Sequence, residues 1–170
     1  DMFSDPDAIT NVQNARSPLT SAYRAYPHYE LEFSILGNDF CPTSLSHSNV
    51  ELTNLYAWRP KEITQLSTNL WLGYYNVIAI CDALDERLPQ VQIEKEDDRQ
   101  EIINISSESK LLKAWCYLQL LKIYAPAYDR NPDDMGIILK STLGIENKQR
   151  SSIKECTSYI EDLLLQTAQH

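Results

Sequence analysis

The run from Glu108 to Tyr124, ESKLLKAWCYLQLLKIY, constrains the fold more than any other stretch. Leu112, Trp115, Cys116, Gln119, Leu120 and Ile123 recur at steps of three and four, which predicts one helical face. Leu111, Leu118 and Leu121 widen that face, and the charges inside the run are Lys110, Lys113 and Lys122. A helix apolar over so much of its circumference belongs in a core with two or more neighbours. Glu108 near its start and Lys122 near its end suit the helix dipole, about 0.3–1 kcal/mol each.

The rest of the chain must supply those neighbours. At 43% hydrophobic and 23% charged, the composition is that of a globular chain. Its 170 residues make one domain's worth. Four glycines argue against a turn-rich β protein and against glycine-rich phosphate loops. A net charge of −9 argues against nucleic acid, which wants a basic stripe. No apolar run approaches the roughly 18 residues that would span a bilayer. The chain opens at Asp1 with neither Met nor a leader, so a processed or trimmed chain is expected.

A second helix is predicted from about Thr64 to Leu88. Leu66, Leu70, Trp71, Tyr74, Val77, Ile78, Cys81, Leu84 and Leu88 form its stripe, and Pro89 stops it. Asp5-Pro6 reads as a cap ahead of a first helix carrying Ile9, Val12, Ala15, Leu19, Ala22, Tyr23 and Tyr26. Pro18 is expected to kink that helix or split it, and Pro27 to end it. His28 to about Lys61 reads as a long loop with a short extended piece near Leu31–Leu36. The acids Glu94, Glu96, Asp97 and Asp98 read as a solvated loop and helix start, not a calcium site. The central helix should begin near Asp98. Ala125 to Gln149 is irregular, with Ile137-Ile138-Leu139 as one extended piece over the helices. Ser152 with Glu155 is a capping box for a last helix whose stripe is Ile153, Cys156, Ile160, Leu163 and Leu164.

The expected fold is all-α. The two long central helices are joined by a short connection and so lie antiparallel. Such pairs stack as in tetratricopeptide arrays, although no strict 34-residue repeat is visible. Cys41, Cys81, Cys116 and Cys156 are widely spaced, without a CxxC pair. Buried thiols are expected ahead of a disulfide or a metal site.

The order Trp71…Tyr75-Asn76-Val77-Ile78, then Glu108 to Tyr124, then Gly136-Ile137, then Arg150-Ser-Ser-Ile-Lys-Glu155 resembles the N-terminal half of the SusD/RagB-type lipoproteins of Bacteroidetes. The resemblance covers nearly the whole chain. It departs from the family pattern at Lys113, where Arg is usual, at Ala125, where Gly is usual, and at Cys81-Asp82, where Ala-Asn is common. It implies a non-catalytic, tetratricopeptide-like protein on the outer face of the outer membrane, held by a lipidated N-terminal Cys. It also implies a glycan or other nutrient as ligand and a SusC-type TonB-dependent transporter as partner. Residues 1–170 would then be the N-terminal helical domain of a longer protein, with much of the ligand platform in a C-terminal part.

Aromatic faces stack on the apolar faces of sugar rings while polar groups read hydroxyls. The first long loop offers both kinds in Asp39, Phe40, Asn49, Tyr56, Trp58 and Arg59, the candidate ligand-binding residues. The ordinary reading of each is loop anchoring or packing. Trp71 and Trp115 are expected in the core. Tyr124 and Tyr128, beside the second irregular stretch, are candidates to face ligand or transporter. His28, His47 and His170 are isolated, and no GxSxG, P-loop, GxGxxG or HExxH is present, so neither an enzyme nor a cofactor is expected. Glu108 and Lys113 lie five apart and should contact neighbouring helices instead of each other. A helical scaffold contacting only proteins is the alternative to a glycan binder. Exposed loop aromatics on a concave surface would favour the first; buried ones, with apolar outer helix faces, would favour the scaffold.

Overall fold

The computed structural model describes residues 9–28, 59–124, 133, 136–139 and 150–169. The expected cap at Asp5-Pro6, the extended piece at Leu31–Leu36, Cys41 and Tyr128 lie outside them. The described residues form four α-helices: α1 (Val12–Ala25), α2 (Pro60–Arg87), α3 (Glu96–Tyr124) and α4 (Ile153–Ala168). A 3-10 turn, Leu88–Gln90, follows α2. The chain divides into two compact units, residues 26–73 and the remainder, and each is described by itself.

In the smaller unit, Leu66 and Leu70 of α2 are buried. Gly73 lets the chain at Pro27 come close, since a Cβ there would lie 2.7 Å from the Pro27 ring. The Tyr26 and His28 rings meet edge to face at 5.8 Å.

The larger unit holds α1, the Tyr74–Arg87 part of α2, α3 and α4. The α2–α3 contacts run antiparallel as expected: Tyr75 meets Tyr117, while Asp82 meets Lys113. The core joins Leu19 of α1, Val77, Ile78, Cys81 and Leu84 of α2, Ile105, Cys116, Tyr117 and Leu120 of α3, and Ile153, Cys156 and Ile160 of α4. Cys81, Cys116 and Cys156 are buried and unbridged. Burial pushes the Cys81 thiol up to about 12 and raises Cys116 and Cys156 as well. All three are small core side chains, protonated and inert at neutral pH.

The family-like motif residues converge on one node. The Tyr75 hydroxyl donates to the Ile138 carbonyl at 2.7 Å. Gly136 N–H donates to the Ser151 carbonyl at 2.7 Å, and Ser151 N–H returns a bond to the Ile137 carbonyl at 3.0 Å. A Cβ at Gly136 would stand 2.8 Å from Cys156 Sγ, so this close approach requires glycine. Arg150 Nε donates to the Gly136 carbonyl at 2.7 Å, and its Nη2 to the Tyr124 carbonyl at 3.3 Å. That cation sits where α3 ends in unsatisfied carbonyls and a negative dipole. Ser152 and Glu155 form the full capping box of α4. Ile137-Ile138-Leu139, expected as an extended piece, is non-helical and tied down at its start through backbone pairing with Ser151; no strand forms among the described residues.

The helix boundaries and faces correct four expectations. α2 starts at Pro60, inside the stretch read as loop, because a proline at the first helical position forfeits only an N–H that has no helical partner. α3 begins at Glu96, two residues early, and Asp98 accepts from the Glu94 and Lys95 amides to build that start. α1 is one helix through Pro18, not two short helices meeting there, and it is opened by the Asn11 side chain accepting from Asn14 N–H at 2.9 Å. Packing of Ala15, Leu19 and Ala22 holds it together. Trp71 and Trp115, expected in the core, are exposed at 37% and 51%. The buried face of α3 follows Ile105, Ser109, Leu112 and Lys113, Cys116 and Tyr117, and Leu120, which leaves Trp115 on the far side with Leu111 and Leu118.

Candidate functional site

Of the candidate ligand-binding residues, Asp39, Phe40, Asn49, Tyr56 and Trp58 lie outside the described residues. Arg59 is described and is exposed immediately ahead of α2. The loop-aromatic criterion therefore rests on residues that are not described, while its other half is met in α3, whose outer face carries Leu111, Trp115 and Leu118.

The charged residues of the central helix work as interhelical ties. Glu108 receives Arg16 Nη1 at 3.2 Å and the Tyr23 hydroxyl at 3.3 Å, both from α1. Arg16 Nε also donates to Glu101 at 2.6 Å, which holds the Glu101 carboxyl below its usual range. Lys113 pairs with Asp82 of α2, the two side chains being only 6% and 5% exposed. Its ammonium also lies 5.7 Å from the Tyr159 ring of α4. Burial alone would lower the Lys113 pKa; the bond to Asp82 and the contact with Tyr159 outweigh it and hold the group above the usual lysine range. Lys113 and Asp82 are two of the positions that depart from the family pattern, and they satisfy each other. Asp85, one turn on, has a buried Oδ1 without a hydrogen-bond partner among the described residues. Burial raises its pKa, with Lys110, Ser109 and Lys113 opposing. These groups lock α2 to α3. Among the described residues, no cluster of three or more His, Cys, Asp or Glu could hold a metal ion.

An open groove of about 540 Å³ runs between α1 and α2. Gln13, Asn14, Ser17 and Ser21 line it from α1, while Ile80, Ala83, Leu84 and Arg87 line it from α2. The sequence reading missed this groove. The signal was there in the polar residues flanking Ala15, Leu19 and Ala22, but polar residues on a helix are ordinarily just solvated.

A family model described as "Starch-binding associating with outer membrane" matches residues 2–169. The chain belongs to the SusD-like family. Two solved structures show the same fold. One is a protein from Bacteroides vulgatus ATCC 8482 assigned as sugar-binding, with TM-score 0.72 and 13% identity over 95% of this chain and 37% of its own. The other is a SusD-like carbohydrate-binding protein from the same organism, with TM-score 0.68 and 17% identity over 94% of this chain and 36% of its own. The chain thus spans little more than a third of the length of these SusD-like structures. No curated protein matches it. The fold is the all-α, tetratricopeptide-like helix-pair scaffold of the SusD-like family. In that light the node around Gly136 and Arg150 explains why the recognisable motifs are where they are: they join helices.

Proposed function

We propose that residues 1–170 form the N-terminal helical domain of a longer SusD-like lipoprotein, which binds glycan at the cell surface and passes it to a SusC-type TonB-dependent transporter. The observation that carries this reading is the family match across residues 2–169 on a helical scaffold with the same fold. No helix among the described residues is long and apolar enough to cross a membrane, so a lipid anchor would supply attachment. The protein acts by binding, without a catalytic step and without a cofactor. Asp39, Phe40, Asn49, Tyr56, Trp58 and Arg59 remain the proposed loop contacts to ligand. Leu164 and Leu165, exposed on α4, would pack against the C-terminal part.

The apolar outer face of α3 favours a second reading, a scaffold whose contacts are all to proteins. Affinity electrophoresis of the full-length protein in gels containing different polysaccharides separates the two. Retardation by at least one polysaccharide supports the glycan reading. Mobility unchanged in every gel, with the transporter still co-purifying, leaves the scaffold.

A further inference from the structure

We infer that the groove between α1 and α2 is a saccharide subsite, separate from the first long loop; this rests on the glycan-binding reading above. Its volume, about 540 Å³, falls in the range of small-ligand sites. Its two walls differ in chemistry. From α1, Gln13, Asn14, Ser17 and Ser21 offer carboxamides and hydroxyls that both donate and accept. From α2, Ile80, Ala83 and Leu84 offer an aliphatic surface, with the Arg87 guanidinium beside it. A pyranose has the matching surfaces: hydroxyls around its rim and C–H groups on its face.

Pro18 adds a second, independent feature. It lines the same groove, and it lacks the N–H that would donate to the Asn14 carbonyl one turn earlier. Its ring adds a small apolar patch to the α1 wall among those hydroxyls and carboxamides. No carboxylate is among the lining residues, which suits a neutral sugar. Gln13 and Ser21 are eight residues apart, about 12 Å along the helix at about 1.5 Å per residue. That length holds a short oligosaccharide segment, not one isolated ring. A docked peptide helix would instead want an apolar wall on both sides.

The test is calorimetric titration of the full-length protein with malto-, xylo- and galacto-oligosaccharides, then of two groove variants with whichever binds. Ser17→Trp fills the groove from an exposed helix position, and Gln13→Ala/Ser21→Ala removes polar groups without adding bulk. Both are expected to keep their circular dichroism and to bind at least tenfold more weakly. Unchanged affinity in both folded variants overturns the groove while the glycan-binding reading stands. No binding of any oligosaccharide by the unaltered protein removes both.

Discussion

Replacing Lys113 by Met breaks a buried ion pair from one side, and the structure sets the size of the effect. Lys113 and Asp82 are almost wholly removed from water and bonded to each other across α2 and α3. Met keeps the length of the lysine stem but leaves the Asp82 carboxylate buried without its partner, a loss of about 3–5 kcal/mol. In a chain of this length each kcal/mol moves the melting temperature about 2–4 °C, so Lys113→Met should melt about 6–20 °C lower. Removing both charges, as Lys113→Met/Asp82→Leu, should recover most of the loss, since an apolar pair of similar volume is neutral or stabilising in many proteins. The pH dependence has a definite sign. The folded lysine is held above its unfolded value of about 10.4, so its contribution is complete below that pH and fades only as pH rises through the raised folded value. Thermal melts followed by circular dichroism at neutral pH and near pH 11 read all of this. A loss under about 1 kcal/mol in the single variant, or a double variant no better than the single, would refute the reasoning.

Three other substitutions have expected outcomes. Ser152→Ala removes the accepting half of the α4 capping box and should cost about 1 kcal/mol in urea unfolding. Asp85→Asn relieves a buried carboxylate whose folded pKa is raised; it should stabilise the protein at neutral pH by up to about 1 kcal/mol. That gain should vanish below about pH 4, where the carboxyl is neutral folded or unfolded. Trp115→Ser should cost about 1–3 kcal/mol, because the indole is half exposed and half packed; a cost above about 4 kcal/mol would mean that it is packed like a core residue.

Much of the scaffold could be read in the chain because local rules and packing agree there. The stripe of α2 apart from Trp71, the Ser152–Glu155 box and the turning of Glu108 and Lys113 towards neighbouring helices each follow from spacing. Trp115 was misplaced for a physical reason. α3 is apolar around most of its circumference, so periodicity does not say which side meets α2 and α4. Leu112, Cys116 and Leu120 could be grouped with Trp115 as readily as with Tyr117. What selected the face was the polar pairing of Ser109 with Cys81 and of Lys113 with Asp82, which depends on the partner helix. Pro60, and Pro18 read as a point of division, misled for a related reason. A proline reads as a breaker until its place in the helix is known. The groove depends on two helices far apart in sequence, so no single window contains it. The loop candidates from Asp39 to Trp58 lie outside the described residues, and their proposed role rests on their chemistry and on the family.

The glycan-binding reading is tested most directly by measuring heats of binding for the full-length protein against soluble starch and a range of other polysaccharides. Saturable binding to at least one of them is the result expected. Flat titrations throughout, from protein that circular dichroism shows to be folded, would contradict it.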